Sequence, residues 1–101
     1  MRFGDFEIRT FVEQTFKLDG GSMFGVIPRS MWEKMIPPDD NNLIEMKTNL
    51  FVLGAHGKNL IFDTGLGDTL SDREKKIYGT TGDSRMESGL ASLGLTTAAI
   101  D

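Results

Sequence analysis

The chain of 101 residues has no cysteine and a single histidine, His56. Without Cys there is no disulfide framework, which agrees with a cytoplasmic location. With one His and no thiolate, the sequence cannot assemble a typical zinc site from its own side chains. It has no Lys/Arg block, and its formal net charge is −4. A nucleic-acid partner requires a concentrated basic surface, so this composition argues against one. No apolar run approaches the length of a membrane span. The opening Met1-Arg2-Phe3-Gly4-Asp5 has no long apolar segment, so no signal peptide is expected. Apolar residues make up 39% and charged residues 26%, enough for a modest core and too apolar for disorder. The length fits one domain or part of a larger one. Six Met residues suit core filling first and an adaptable pocket second.

From Phe6 to Leu18 the sequence alternates. Phe6, Ile8, Val12, Phe16 and Leu18 fall on one face, interrupted by Thr10 and Gln14. Glu7, Arg9, Glu13, Lys17 and Asp19 fall on the other. This predicts one long strand, or two shorter ones, with a wet face. Asp19-Gly20-Gly21-Ser22 ends it. Met23 to Ile36 reads as a long loop carrying a short helix over 31–35, with Ser30 as its cap and Glu33 completing a capping box. Pro37-Pro38 and the polar run 39–42 close this excursion. Residues 43–63 predict a β-hairpin: a strand to Leu53, a tight connection over 54–58, and a strand from Asn59 to Asp63. The first strand ends apolar on both faces, which implies cover on both sides, as in a layered α/β protein.

Ser71 with Glu74 predicts a capped helix over 72–77, acidic at its start and basic near its end. Gly79-Thr80-Thr81-Gly82 breaks it. Met86, Leu90 and Leu93 predict a second helix over 84–93, stopped by Gly94. Residues 96–101 form a capped turn leading toward a further strand. An unfinished sheet leaves unpaired backbone groups at its edge, so these residues are expected to need a continuing chain or a complementary one.

The segment with most chemical content is Leu60-Ile61-Phe62-Asp63-Thr64-Gly65-Leu66-Gly67-Asp68. A short apolar strand runs into an Asp and a Gly-punctuated turn, leaving a carboxylate at the mouth of a sheet. His56 sits at the other end of that strand; about six residues span roughly 17–20 Å, too far for a metal shared with Asp63. Ser22 and Ser30 have no local His or carboxylate constellation for nucleophilic catalysis. The Asp39-Asp40 turn lacks calcium-loop spacing. Gly20, Gly21 and Gly25 do not follow dinucleotide-binding spacing.

Several blocks in fixed order carry a resemblance. They are residues 18–28 (Leu18-Asp19-Gly20-Gly21-Ser22-Met23-Phe24-Gly25-Val26-Ile27-Pro28), Trp32-Glu33-Lys34, Pro37, Asn42, Asn49 and Phe62-Asp63-Thr64-Gly65-Leu66-Gly67. Glu74-Lys75-Lys76-Ile77-Tyr78-Gly79, Leu90, Leu93-Gly94-Leu95 and Ile100-Asp101 follow. Over residues 6–101 the chain resembles the N-terminal part of metallo-β-lactamase-fold hydrolases, and within them the quorum-quenching N-acyl homoserine lactonase branch. The resemblance implies an α/β, αββα four-layer sandwich, of which residues 1–101 are the N-terminal portion of one metallo-hydrolase domain. It implies hydrolysis of a lactone or related ester by a hydroxide activated by two divalent metal ions, zinc in most of the family. In that family most metal ligands come from a His-x-His-x-Asp-His motif that follows these blocks. No metal ligand therefore transfers to this sequence, and the chain alone is expected to be inactive.

By the same resemblance, Asp63 supports the metal-binding loop without itself holding metal; the plainer reading is an Asp bracing its own turn. Met23, Phe24 and Trp32 lie in the segment that borders the family's cleft, where they would contact substrate; the plainer reading is that they pack the loop onto the sheet. The implied partners are a small lactone or ester, the remainder of the domain or a complementary chain, and a second copy in a homodimer. The alternative to an enzyme part is a non-catalytic interaction module that works with a complementary chain, or a truncated product with no separate function.

Overall fold

A computed structural model describes residues 1–80 and 83–101. The Thr81-Gly82 half of the expected helix break lies outside the described residues. Strands β1 (Arg2–Phe3), β2 (Phe6–Asp19), β3 (Leu43–Ala55) and β4 (Lys58–Phe62) form one antiparallel sheet in chain order. The chain is thus α/β, and the described residues supply a single sheet. The hairpin of β3 and β4 forms as expected. Its turn is His56-Gly57, with φ of 52° and 75°. Two central residues at positive φ are the pattern that matches the twist of the flanking strands. His56 is exposed there, edge-on to Phe6 at 6.0 Å.

The expected alternation of β2 fails at one point. Val12 faces Asn49 and Gln14 faces the next residue back, Thr48, so Glu13 has no partner across the ladder. This is a bulge, and it switches the parity of the strand. Before it, Phe11 opposes Leu50; after it, Gln14, Phe16 and Leu18 oppose Thr48, Met46 and Ile44. Phe16 and Leu18 therefore share the face of Phe11, not that of Ile8. Glu13, expected on the wet face, is fully buried.

α4 covers one face of the sheet. α1 (Gly20–Phe24) and α2 (Arg29–Trp32) lie between β2 and β3, whereas α3 (Asp72–Tyr78) and α4 (Met86–Ser92) follow β4. Phe11, Leu50 and Val52 close with Leu90 of α4 into the main core, bordered by Ile61, Met86, Leu93, Leu95 and Ile100. Each such aliphatic side chain taken out of water stabilises the fold by about 1.5–3 kcal/mol. The Arg9 guanidinium donates to the carbonyl of Leu93 at 2.8 Å and ties down the end of α4.

Around the β3–β4 hairpin the opposite face is uncovered. Ile8 pairs with Leu53, Leu53 with Leu60, and Phe51 with Phe62. Phe51 is 47% exposed and Phe62 53%. With Ile8 and Leu53 they line a hollow of about 330 Å³. Cover on both faces was expected, and these residues provide it on one.

The local signals for helices had mixed outcomes. α3 has both bonds of the predicted capping box: the Glu74 amide donates to Ser71 Oγ, and the Ser71 amide donates to the Glu74 carboxylate. α4 is shorter than expected and runs from Met86 to Ser92. The Asp19-Gly20-Gly21-Ser22 segment is the start of α1 and not a plain turn, because Asp19 Oδ1 accepts the Gly21 and Ser22 amides at 2.7 and 3.2 Å. α2 starts at Arg29 behind Pro28, and Ser30 does not cap it. Glu33 pairs with Arg29 one turn earlier, at 3.0 Å. After α4, the turn at Thr97–Ala99 brings Asp101 alongside β4, where its amide donates to the Asn59 carbonyl at 2.8 Å. No strand forms over 96–101.

Candidate functional site

β4 delivers Asp63 to the end of the sheet at φ 74°, a left-handed conformation. Asp63 is exposed. Its Oδ1 accepts the amides of Gly65 and Thr64 at 3.0 and 2.6 Å. These two bonds hold its carboxyl below the ordinary aspartate pKa. Such local bonds fix a turn of the Asx type. The other oxygen, Oδ2, has no hydrogen-bond partner among the described residues.

The turn is held from beneath by a residue the sequence reading placed on the solvent face. Glu13 Oε2 accepts the Leu66 amide at 3.0 Å and the Thr48 hydroxyl at 2.9 Å. Glu13 Oε1 accepts the Gly67 amide and the Gln14 side-chain amide, both at 3.1 Å. Gln14 Nε2 also donates to the Gly67 carbonyl at 2.7 Å. Burial raises the pKa of Glu13, but hydrogen bonds from Ser84, the Leu66 amide, Thr48 and Gln14 together outweigh it and leave the carboxyl below its ordinary value. Gly65, at φ 72°, passes directly over this carboxylate, and a Cβ there would run into it. Asp68 closes the far end by accepting the Ser84 amide at 2.6 Å, just ahead of α4. The backbone of β2 reaches the same place, where the Arg85 amide donates to the Glu13 carbonyl at 3.0 Å. One signal for Glu13 was present in the sequence: two consecutive polar residues, Glu13-Gln14, interrupt a period-2 pattern, as a bulge does.

The three loop candidates have different positions. Trp32 is 3% exposed, and its ring lies over Gly20 so closely that a Cβ there would collide with it. It stacks on Phe24 with centroids 5.1 Å apart and planes 7° from parallel. Phe24 is half-buried and, with Ile27, Met31, Trp32 and Met35, lines a groove of about 290 Å³. Met23 is 45% exposed and does not line that groove, and neither does Asp63. The loop is closed by Asn42, which accepts from Arg29 at 2.9 Å and donates to Asp19 at 3.3 Å. With the Gly21 and Ser22 amides, Asn42 lowers the pKa of Asp19.

Among the described residues, no three His, Cys, Asp or Glu side chains converge to hold a metal ion. No described helix is long and apolar enough to cross a membrane. The chain matches no protein-family model, and no curated protein sequence matches it. It is similar in structure to a solved protein described as a probable metal-dependent hydrolase from Staphylococcus aureus. The match has a TM-score of 0.92 at 33% sequence identity and covers 100% of this chain and 37% of that one. The chain thus spans a little over a third of the length of that protein.

Proposed function

We propose that this chain is the first part of a metal-dependent hydrolase of the metallo-β-lactamase fold. The observation that carries this is the likeness to the staphylococcal protein along the whole chain, at an identity high enough to reach beyond architecture. The described residues do not themselves fit a metal centre, so any divalent ions, two zinc ions in the fuller reading, would be held by residues outside them. The uncovered sheet face fits the same reading: a second sheet over Ile8, Phe51, Leu53 and Phe62 would complete a four-layer sandwich.

In that reading Asp63 braces the loop that borders the metal centre and keeps Oδ2 free for a neighbouring ligand or amide. Phe24 and Trp32 form an apolar wall, with Met23 exposed beside it, suited to an acyl chain or lactone ring. A lactone or ester is the proposed substrate class, and the lactonase branch the proposed subgroup. The test is to join or mix the chain with the polypeptide that completes it, then assay lactone hydrolysis with and without a chelator. Chelator-sensitive hydrolysis restored only in the mixture supports the proposal. A completed protein that binds no metal and hydrolyses no ester rejects it. The rival reading, a non-catalytic module, draws on the same uncovered face, and it would be favoured by assembly without hydrolysis.

A further inference from the structure

We infer that Glu13 is the positioning residue of the 63–68 turn: an extra residue in β2 whose buried carboxylate fixes the backbone that presents Asp63. Only what the free oxygen of Asp63 meets rests on the proposed function.

Three observations converge on Glu13. It has no partner in the ladder, since its neighbours pair with consecutive residues of β3. It is fully buried, and each of its oxygens accepts a turn amide and a side-chain donor. A buried carboxylate is costly unless it is hydrogen-bonded in this way. The turn in turn fits Glu13, with Gly65 leaving the room its carboxylate occupies and Gln14 holding the Gly67 carbonyl. Asp63 and Asp68 on the turn and Arg85 ahead of α4 are charged residues of these elements. The two aspartates carry the same sign as Glu13, and Arg85 forms no ion pair with it among the described residues. Its charge is balanced by amides and hydroxyls, which commits it to the turn. Asp63 cannot do this work, because its bonds reach only the two residues that follow it and it is open to water.

Amide hydrogen exchange, read residue by residue on the assembly as it occurs, tests this without any metal. In the wild type, Leu66 and Gly67 exchange slowly, whereas Thr64 and Gly65, bonded to the exposed Asp63, exchange fast. Glu13→Gln presents the turn with an amide that can satisfy only part of the bonding. It accelerates Leu66 and Gly67 by roughly tenfold to a hundredfold, the range for losing bonds to a charged acceptor, and leaves Leu50 and Val52 unchanged. Should Glu13→Gln fail to fold, Thr48→Val removes one donor to the same oxygen and gives a smaller acceleration at the same two amides. Asp63→Asn leaves their protection intact. Fast exchange at Leu66 and Gly67 in the wild type overturns the inference, as does protection that survives Glu13→Gln and is lost in Asp63→Asn. Absence of chelator-sensitive hydrolysis, with this exchange pattern intact, removes the proposed function and leaves the role of Glu13 standing.

Discussion

The two faces of the sheet carry comparable apolar residues and meet different fates. On one, Leu50 and Val52 are wholly removed from water beneath α4. On the other, their chain neighbour Phe51 and its cross-strand partner Phe62 remain about half exposed. Composition does not separate them; the presence of a covering layer does. The closed face accounts for the stability of these residues, and the open face is where further structure can attach.

The largest test of this contrast is Leu50→Ala. Truncating a fully enclosed leucine leaves a cavity and costs about 2–5 kcal/mol, read from the urea midpoint. Glu13→Ala comes next. It leaves the Leu66 and Gly67 amides without their acceptor and costs about 1–3 kcal/mol, with the loss centred on the turn. Acid should reproduce part of that loss. The folded-state pKa of Glu13 lies below the ordinary value of 4.5, so its contribution is complete above that pH and declines as pH falls through the folded value. Thermal melts from pH 6 downward should show a decline that Glu13→Gln makes shallower, the remainder coming from groups such as Asp19 and Asp63, whose pKa values are also lowered. The smallest effect is expected at Phe51→Thr on the open face, within about 0.5 kcal/mol for the chain by itself. The same substitution should weaken assembly with a complementary chain. A large loss from Phe51→Thr without any partner would mean that the open face is already covered, and the contrast would fail.

The parts legible in sequence were those decided locally. The β3–β4 hairpin follows from alternation, although its connection is only His56-Gly57 and not the whole of 54–58, and the start of α3 follows from Ser71 and Glu74, three residues apart. For Glu13 the break in alternation at Glu13-Gln14 hints at a bulge, but its burial is set by Leu66, 53 residues away, and no local pattern names that partner. α1 was missed for a related reason. Two glycines open it, a poor start by propensity, and what holds them helical is the Asp19 cap together with the ring of Trp32. For the candidate site, the turn at Asp63 is legible in sequence, but the carboxylate beneath it is not. Trp32 was proposed for substrate contact and lies almost entirely inside the loop.

The bulge has a genetic consequence. Deleting the single codon for residue 13 would leave Val12 opposite Asn49 and Gln14 opposite Thr48, joined as an ordinary ladder with every inward side chain still inward. Most one-residue deletions in a strand invert everything downstream of them; this one spares the sheet's parity. A lineage could therefore discard this acid in one step and keep its β-framework, giving up only the anchorage of the distant turn.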